Sequence, residues 1–312
     1  MINGLVYRST GSWYDVKLET GEFIEARLVG KLRTKGIRTT NPIAVGDKVS
    51  LIIDDDNNAV IQSIVQRRNY VIRKSVNLSK EAHIIAANVD LAILIVTVSY
   101  PVTSPGFIDR FTVTTEAYGI PLLIVFNKID LFDEKDIELL QSYEEAYQIA
   151  GYPTLRTSAQ EKIGINELEG LIEGKTVLFS GNSGAGKSTL INALNSGFEL
   201  KTGELSSSHQ TGKHTTTFAE MFDLSFGAHI IDTPGIKGFG VVDMDSAELD
   251  QYFPEMFVIK SDCKFHNCQH LHEPQCAVKA AVDAGLIAAS RYKSYLQILE
   301  GEDVNYRTDS YD

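Results

Sequence analysis

Nine consecutive residues, Gly181, Asn182, Ser183, Gly184, Ala185, Gly186, Lys187, Ser188 and Thr189, have the types and spacing of a phosphate cradle. Glycines let the backbone turn so that successive N–H groups face one concavity. A helix expected over Lys187–Asn195 adds the dipole end that favours an anion. In such a loop the lysine reaches the β- and γ-phosphates of a nucleoside triphosphate, and the hydroxyl of Ser188 ligates Mg2+. The apolar run Val177–Ser180 just ahead supplies the strand that the motif needs.

A second group chooses the base. Asn127-Lys128-Ile129-Asp130 follows the apolar run Leu122–Phe126. A carboxylate at Asp130 can accept hydrogen bonds from N1–H and the 2-amino group of guanine. Adenine offers neither, so ATP would leave a buried carboxylate unpaired. Asn127 would brace the loop, and the stem of Lys128 can lie over the base. Thr157-Ser158-Ala159 comes after another short strand, and the backbone N–H groups at Ser158 and Ala159 can meet the guanine O6.

Two further segments bear on hydrolysis. Asp232-Thr233-Pro234-Gly235 follows the expected strand Ala228–Ile231. Asp232 can hold Mg2+ through water, and Gly235 can offer its N–H to the γ-phosphate. Between it and the phosphate loop lies Gly212-Lys213-His214-Thr215-Thr216-Thr217, where Thr215 or Thr216 can complete the Mg2+ shell. Many GTPases place a glutamine after the Asp-x-x-Gly motif to orient the attacking water. Here that position is Ile236, whose side chain cannot hydrogen-bond a water. Slow unassisted hydrolysis is expected, completed by another residue, a partner or K+. His214 is a candidate catalytic residue, because imidazole can orient or polarise water.

All three cysteines, Cys263, Cys268 and Cys276, fall in one short stretch that also holds His266, His270 and His272. Without distant partners they favour metal binding over a disulfide framework. Three thiolates and one imidazole make a closed tetrahedral set, as in structural zinc sites. Spacing alone leaves the choice of histidine open.

The elements that must position these groups fall into three segments. Residues 1–70 read as about five short strands, Gly4–Tyr7, Trp13–Leu18, Phe23–Leu28, Lys48–Ile53 and Val60–Val65, which suit a small OB-like barrel. Residues 71–245 alternate buried strands with helices such as Ile108–Tyr118 and Asp136–Ile149, as a parallel α/β sheet requires. Residues 246–312 open with the Cys/His cluster and continue in a helical stretch, Ala277–Leu299, broken near Gly285.

Net charge is −12, but it is unevenly spread. The first segment is net +2, the second −9 and the third −5. Arg27, Lys31, Arg33, Lys35 and Arg38 form a basic run with no acid among them, an electrostatic footprint for RNA on a barrel loop. The acidic α/β segment is expected to face away from such a partner or to be masked by Mg2+. No apolar run approaches the ~18 residues that span a membrane, and Met1–Thr20 does not look like a signal peptide. A cytoplasmic monomer with no membrane partner is expected.

The guanine motifs stand before the phosphate loop, the reverse of the usual order. This permuted order, the Gly-Lys-His-Thr-Thr-Thr loop, the N-terminal β-segment and the Cys/His cluster together resemble the circularly permuted, small-subunit-dependent GTPases of bacteria. The likeness covers essentially the whole chain. It implies an OB-fold, a permuted GTPase domain and a zinc domain. It also implies a GTP hydrolase acting late in maturation of the 30S subunit, stimulated by that subunit, with the subunit and its 16S rRNA as partners. It favours His270 as the fourth zinc ligand and supports His214 in catalysis. A reading of another class is a nucleotide-gated RNA-binding module in which turnover of GTP to GDP is incidental.

Overall fold

The computed structural model describes residues 1–28, 42–54, 58–74, 82–195, 219–232 and 246–301. The expectations for Lys31, Arg33, Lys35, Arg38, His214, Thr215, Thr216, Gly235 and Ile236 fall outside the described residues.

Five strands open the chain: β1 (Ile2–Ser9), β2 (Trp13–Leu18), β3 (Phe23–Leu28), β4 (Lys48–Ile53) and β5 (Ala59–Ile64). Alternate side chains point inward, so Val6, Tyr14, Val16, Ala26, Val49, Leu51, Ala59 and Ile61 share one core. The strands pair in the order β1-β2-β3-β5-β4, and β4 returns to β1. That return closes the expected five-strand barrel and removes its free edges.

A two-stranded sheet, β6 (Tyr70–Lys74) with β7 (Ala82–Ala87), follows; the sequence reading did not foresee it. It is locked to the barrel by backbone. Gly46 takes φ +88°, and a Cβ there would stand 2.1 Å from the Ala87 carbonyl oxygen. Arg67 grips the buried Asp47 through Nε at 2.7 Å and a terminal nitrogen at 2.6 Å.

The α/β layer contains β8 (Leu91–Val96), α1 (Pro105–Ala117), β9 (Leu122–Phe126), α2 (Glu134–Ile149), β10 (Thr154–Arg156), α3 (Ile165–Ile172), β11 (Thr176–Gly181), α4 (Lys187–Leu194), β12 (Glu220–Asp223) and β13 (His229–Asp232). Strand order is β10-β9-β8-β11-β13-β12, parallel except for β12. Ala92, Leu94, Val96, Leu122, Ile124 and Phe126 face one core, while Ile93, Ile95, Leu123 and Val125 face another. Burial on both faces is why these strands read as unbroken apolar runs. Helices α1 and α2 start before the sequence expectation because their caps do. The Ser104 hydroxyl accepts from Phe107 N, and Asp133 and Asp136 form a reciprocal capping box.

Arg8 of β1 pairs with Glu220 of β12, so the barrel and the parallel sheet join in one 11-stranded sheet among the described residues. The C-terminal segment packs on α1. Val113 shares a core with Leu249, Phe253, Met256, Val278, Ile287 and Tyr295. The expected helical stretch is two helices, Ala277–Asp283 and Ala289–Leu299, separated near Gly285 at φ +74°.

Candidate nucleotide and metal sites

Strands β9, β10, β11 and β13 are parallel, so their carboxyl ends lie along one edge of the sheet. The Asn-Lys-x-Asp, Thr-Ser-Ala, phosphate-loop and Asp232 segments each leave one of those ends. This edge is where open α/β sheets bind ligands.

The phosphate loop depends on its glycines. Gly181 ends β11 beside Ile95, and a Cβ there would lie 2.4 Å from the Ile95 carbonyl oxygen. Gly186 takes φ +94°, and its Cβ would lie 2.4 Å from Nδ2 of Asn127. Lys187 turns back on its own loop, donating to the Gly181 carbonyl at 2.6 Å and the Asn182 carbonyl at 2.8 Å. Lysine thereby meets the carbonyl crown of its own loop, and the Ala185 N–H closes the turn onto the Asn182 carbonyl at 3.1 Å. Ser183, Gly184 and Thr189 are exposed, Ser188 is half-buried at the start of α4, and Ala185 is buried.

Asn127 joins the two halves of the site. Its Nδ2 donates to the Ala185 carbonyl at 3.0 Å, and its Oδ1 accepts from the Thr157 hydroxyl at 3.0 Å. Asn127, Thr157 and Ser158 are all buried. Lys128 sits at φ +66°, and its Nζ donates to the Tyr100 carbonyl at 2.8 Å. Asp130 lies in the single turn Ile129–Leu131 and is exposed, not buried as the sequence argument assumed. Its carboxylate is open to solvent because the turn stands above the sheet edge, and desolvation would accompany arrival of a base. Ser158 pairs with Ile163, and its hydroxyl accepts from Glu161 N at 3.0 Å, which shapes the loop carrying Ala159.

Asp232 closes β13, antiparallel to Glu220 of β12. Ser188 and Asp232 offer oxygen donors only, the set that suits Mg2+. Arg27, expected with the basic run on a barrel loop, instead lies in β3 paired with Trp13 of β2; it contacts Asp54 at 3.1 Å, so part of its charge is answered within the barrel.

The structure also brings the cysteines and one histidine together. Cys263, Cys268, His270 and Cys276 place their donor atoms within 4.8 Å of one another. Cys263 Sγ lies 3.7 Å from His270 Nδ1 and 4.0 Å from Cys276 Sγ, and Nδ1 lies 3.4 Å from Cys276 Sγ. Bond lengths of ~2.3 Å to sulfur and ~2.0 Å to nitrogen in a tetrahedron put donors ~3.5–3.8 Å apart, so the cluster has the size for zinc. His270 is fully buried, whereas His266 and His272 are exposed. Burial pushes the Cys268 thiol up to about 12, with the Cys276 and Cys263 sulfurs adding to it, and raises Cys276 also. Sulfurs crowded this way lose their protons readily only to a cation that replaces them.

The sequence reading missed the groups that hold this loop. Glu273 accepts from the Gln269 and Leu271 N–H groups at 2.7 and 2.8 Å. Tyr292 donates to the His270 carbonyl at 2.5 Å and Tyr295 to the Gln269 carbonyl at 2.9 Å. Asp250 approaches the far nitrogen of His270 at 3.3 Å. Spacing signals none of these partners; folding alone brings them near.

Comparison with known proteins agrees over the whole chain. The RsgA GTPase family matches residues 64–242 and the RsgA N-terminal domain residues 3–61. The chain is 54% identical to the small ribosomal subunit biogenesis GTPase RsgA of Christiangramia forsetii, covering 99% of each. It is 52% identical to RsgA 2 of Bacteroides thetaiotaomicron over 98% of this chain and 99% of that one. The crystal structure of YjeQ from Thermotoga maritima superposes with a TM-score of 0.78 at 36% identity, covering 96% and 98% of the two chains. YloQ, described as a circularly permuted GTPase, superposes with a TM-score of 0.74 at 28% identity, covering 100% and 98%. On sequence identity over nearly its full length, and on fold, this chain belongs to the RsgA family of circularly permuted GTPases.

Proposed function

We propose that this GTPase docks on the small ribosomal subunit late in its assembly, and that the subunit completes a catalytic site which is slow alone. The observation carrying the nucleotide half is the Asn127 bridge, which joins the phosphate loop to both guanine loops in one rigid edge. The ribosomal half is supported by relatives described as small ribosomal subunit biogenesis GTPases.

In this reading Asp130 pairs with guanine, and the Ser158–Ala159 backbone meets O6. Residues Gly181–Thr189 wrap the phosphates. Lys187 leaves the Gly181 and Asn182 carbonyls for the β- and γ-phosphates, exchanging two neutral acceptors for charged ones. Ser188, Asp232 and one of Thr215 and Thr216 would hold Mg2+, which when bound offsets the charge on the phosphate oxygens. Gly235 meets the γ-phosphate, and His214 orients the attacking water in place of the glutamine that Ile236 replaces. One structural zinc sits among Cys263, Cys268, His270 and Cys276. Arg27, Lys31, Arg33, Lys35 and Arg38 contact 16S rRNA. The three working units are residues 1–70, 71–245 and 246–312.

The test is GTP hydrolysis by the purified chain alone, with mature 30S subunits, and with 50S subunits as control, in the presence of competing ATP. A slow basal rate that rises at least about tenfold with 30S only, and ignores ATP, supports the proposal. A rate unmoved by 30S would remove the ribosomal trigger and leave a GTPase whose partner is another.

A further inference from the structure

We propose that Asp250 is a positioning residue for the metal centre. Its carboxylate accepts the Nε2 hydrogen of His270 and so holds the Nδ1 lone pair toward the three sulfurs. The inference rests on reading the Cys/His cluster as a zinc site.

A neutral imidazole carries one hydrogen and one lone pair. His270 presents Nδ1 to Cys276 at 3.4 Å and Cys263 at 3.7 Å, so metal binding needs the lone pair on that atom. The hydrogen must then sit on Nε2, inside a ring that is fully buried. A buried donor without an acceptor is costly, and would favour the opposite tautomer. Asp250 Oδ2, 3.3 Å from Nε2, supplies that acceptor.

The carboxylate is itself held in place. Asp250 is 4% exposed, and Lys260 Nζ lies 2.9 Å from one oxygen and 2.8 Å from the other. The ammonium offsets the cost of burying the charge. Backbone geometry sets the aim from the other side. His270 takes φ +60°, and Tyr292 fixes its carbonyl. Asp250 belongs to the turn Ser246–Tyr252, whose Leu249 packs with Val113 of α1. The metal's orienting partner is therefore anchored on the GTPase layer, outside the cysteine loop.

The experiment compares the full-length chain with Asp250→Ala and Asp250→Asn after loading with one equivalent of zinc. Zinc transfer to a chromogenic chelator is followed, together with the visible spectrum of the Co2+-substituted protein. Asp250→Ala is expected to weaken zinc binding about 10- to 100-fold and to shift the Co2+ bands. Asp250→Asn, whose amide oxygen still accepts from Nε2, is expected to retain most of the affinity. Wild-type zinc affinity and Co2+ bands in Asp250→Ala would overturn the positioning role alone. A wild-type chain that takes up no stoichiometric zinc would overturn the metal reading and this role with it. Should the alanine variant fail to fold, 113Cd-loaded wild type with 15N-histidine decides. Coupling of cadmium to Nδ1, with a slowly exchanging Nε2 hydrogen, supports the proposal; coupling to Nε2 overturns it.

Discussion

Asn127 and Ala185 are 58 positions apart in the chain, yet the asparagine amide donates to the alanine carbonyl at 3.0 Å. The same side chain accepts from Thr157. One amide therefore fixes the distance between the guanine loops and the phosphate loop. The contact depends on which strand ends lie side by side and not on the order in which the chain visits them.

Asn127→Ala should weaken GDP and GTP binding by at least about tenfold, roughly 1.4 kcal/mol. It leaves a buried carbonyl and a buried hydroxyl without that partner. Titration with a fluorescent GDP analogue checks it, and unchanged affinity with a cooperative melt would refute the bracing role.

Gly186→Ala should be more severe for the nucleotide than for the fold. The added Cβ meets the Asn127 amide at 2.4 Å and a backbone at φ +94°. The clash falls on the bridge itself, so binding should drop below detection in the same titration while thermal unfolding stays cooperative.

Asp223 ties the barrel to the hairpin between β12 and β13. It accepts from Tyr7 and meets His229, each at 2.5 Å, and also pairs with Lys17. Burial alone would raise its carboxyl, but the Lys17, Tyr7 and His229 bonds outweigh that and hold it below the usual range. A pKa depressed on folding means stability that is present above the unfolded value of about 4 and is lost as pH falls below it. Asp223→Asn should therefore lower the melting temperature at pH 6, and the gap to wild type should shrink below about pH 4. A gap that is constant with pH would show that the charge is irrelevant.

Arg291 is fully buried between α1 and the C-terminal segment. It pairs with Glu255 at 2.7 and 3.0 Å, Asp109 at 2.9 Å and Thr112 at 2.9 Å, and its guanidinium lies 4.8 Å from the Phe253 ring centre. The two carboxylates keep it charged. Arg291→Met strands both acids and should destabilise the chain by about 3–5 kcal/mol in urea unfolding. The triple variant with Asp109→Asn and Glu255→Gln should recover part of that. A loss below about 1 kcal/mol in the single variant would mean that the acids find water.

Much of this was legible in the chain because it is written locally. The strands β8 and β9 are apolar on both faces and read as runs. The phosphate loop needs its glycines, lysine and serine in fixed succession, so spacing alone reveals it. By contrast, β6 and β7 are short and sit where barrel changes to α/β, and α3 begins at Gly164 with no side-chain cap. The strands leave no long apolar run, and the helix, though Ile165, Leu168 and Ile172 are spaced for one buried face, lacks the cap that marks a start.

By itself the sequence determined the class of ligand, the base and the donor types, because covalent order sets which groups a turn can present together. Tertiary structure decided which histidine joins the cysteines, since His270 is buried while His266 and His272 stay in solvent. It decided that Asp130 waits exposed, and that Asp250, Lys260 and Arg291 meet their partners. Asp109 and Arg291 lie far apart in sequence, and only close packing of α1 against the C-terminal helices brings their charges within bonding distance, whereas Asp250 meets Lys260 and His270 through the folding of the C-terminal segment itself.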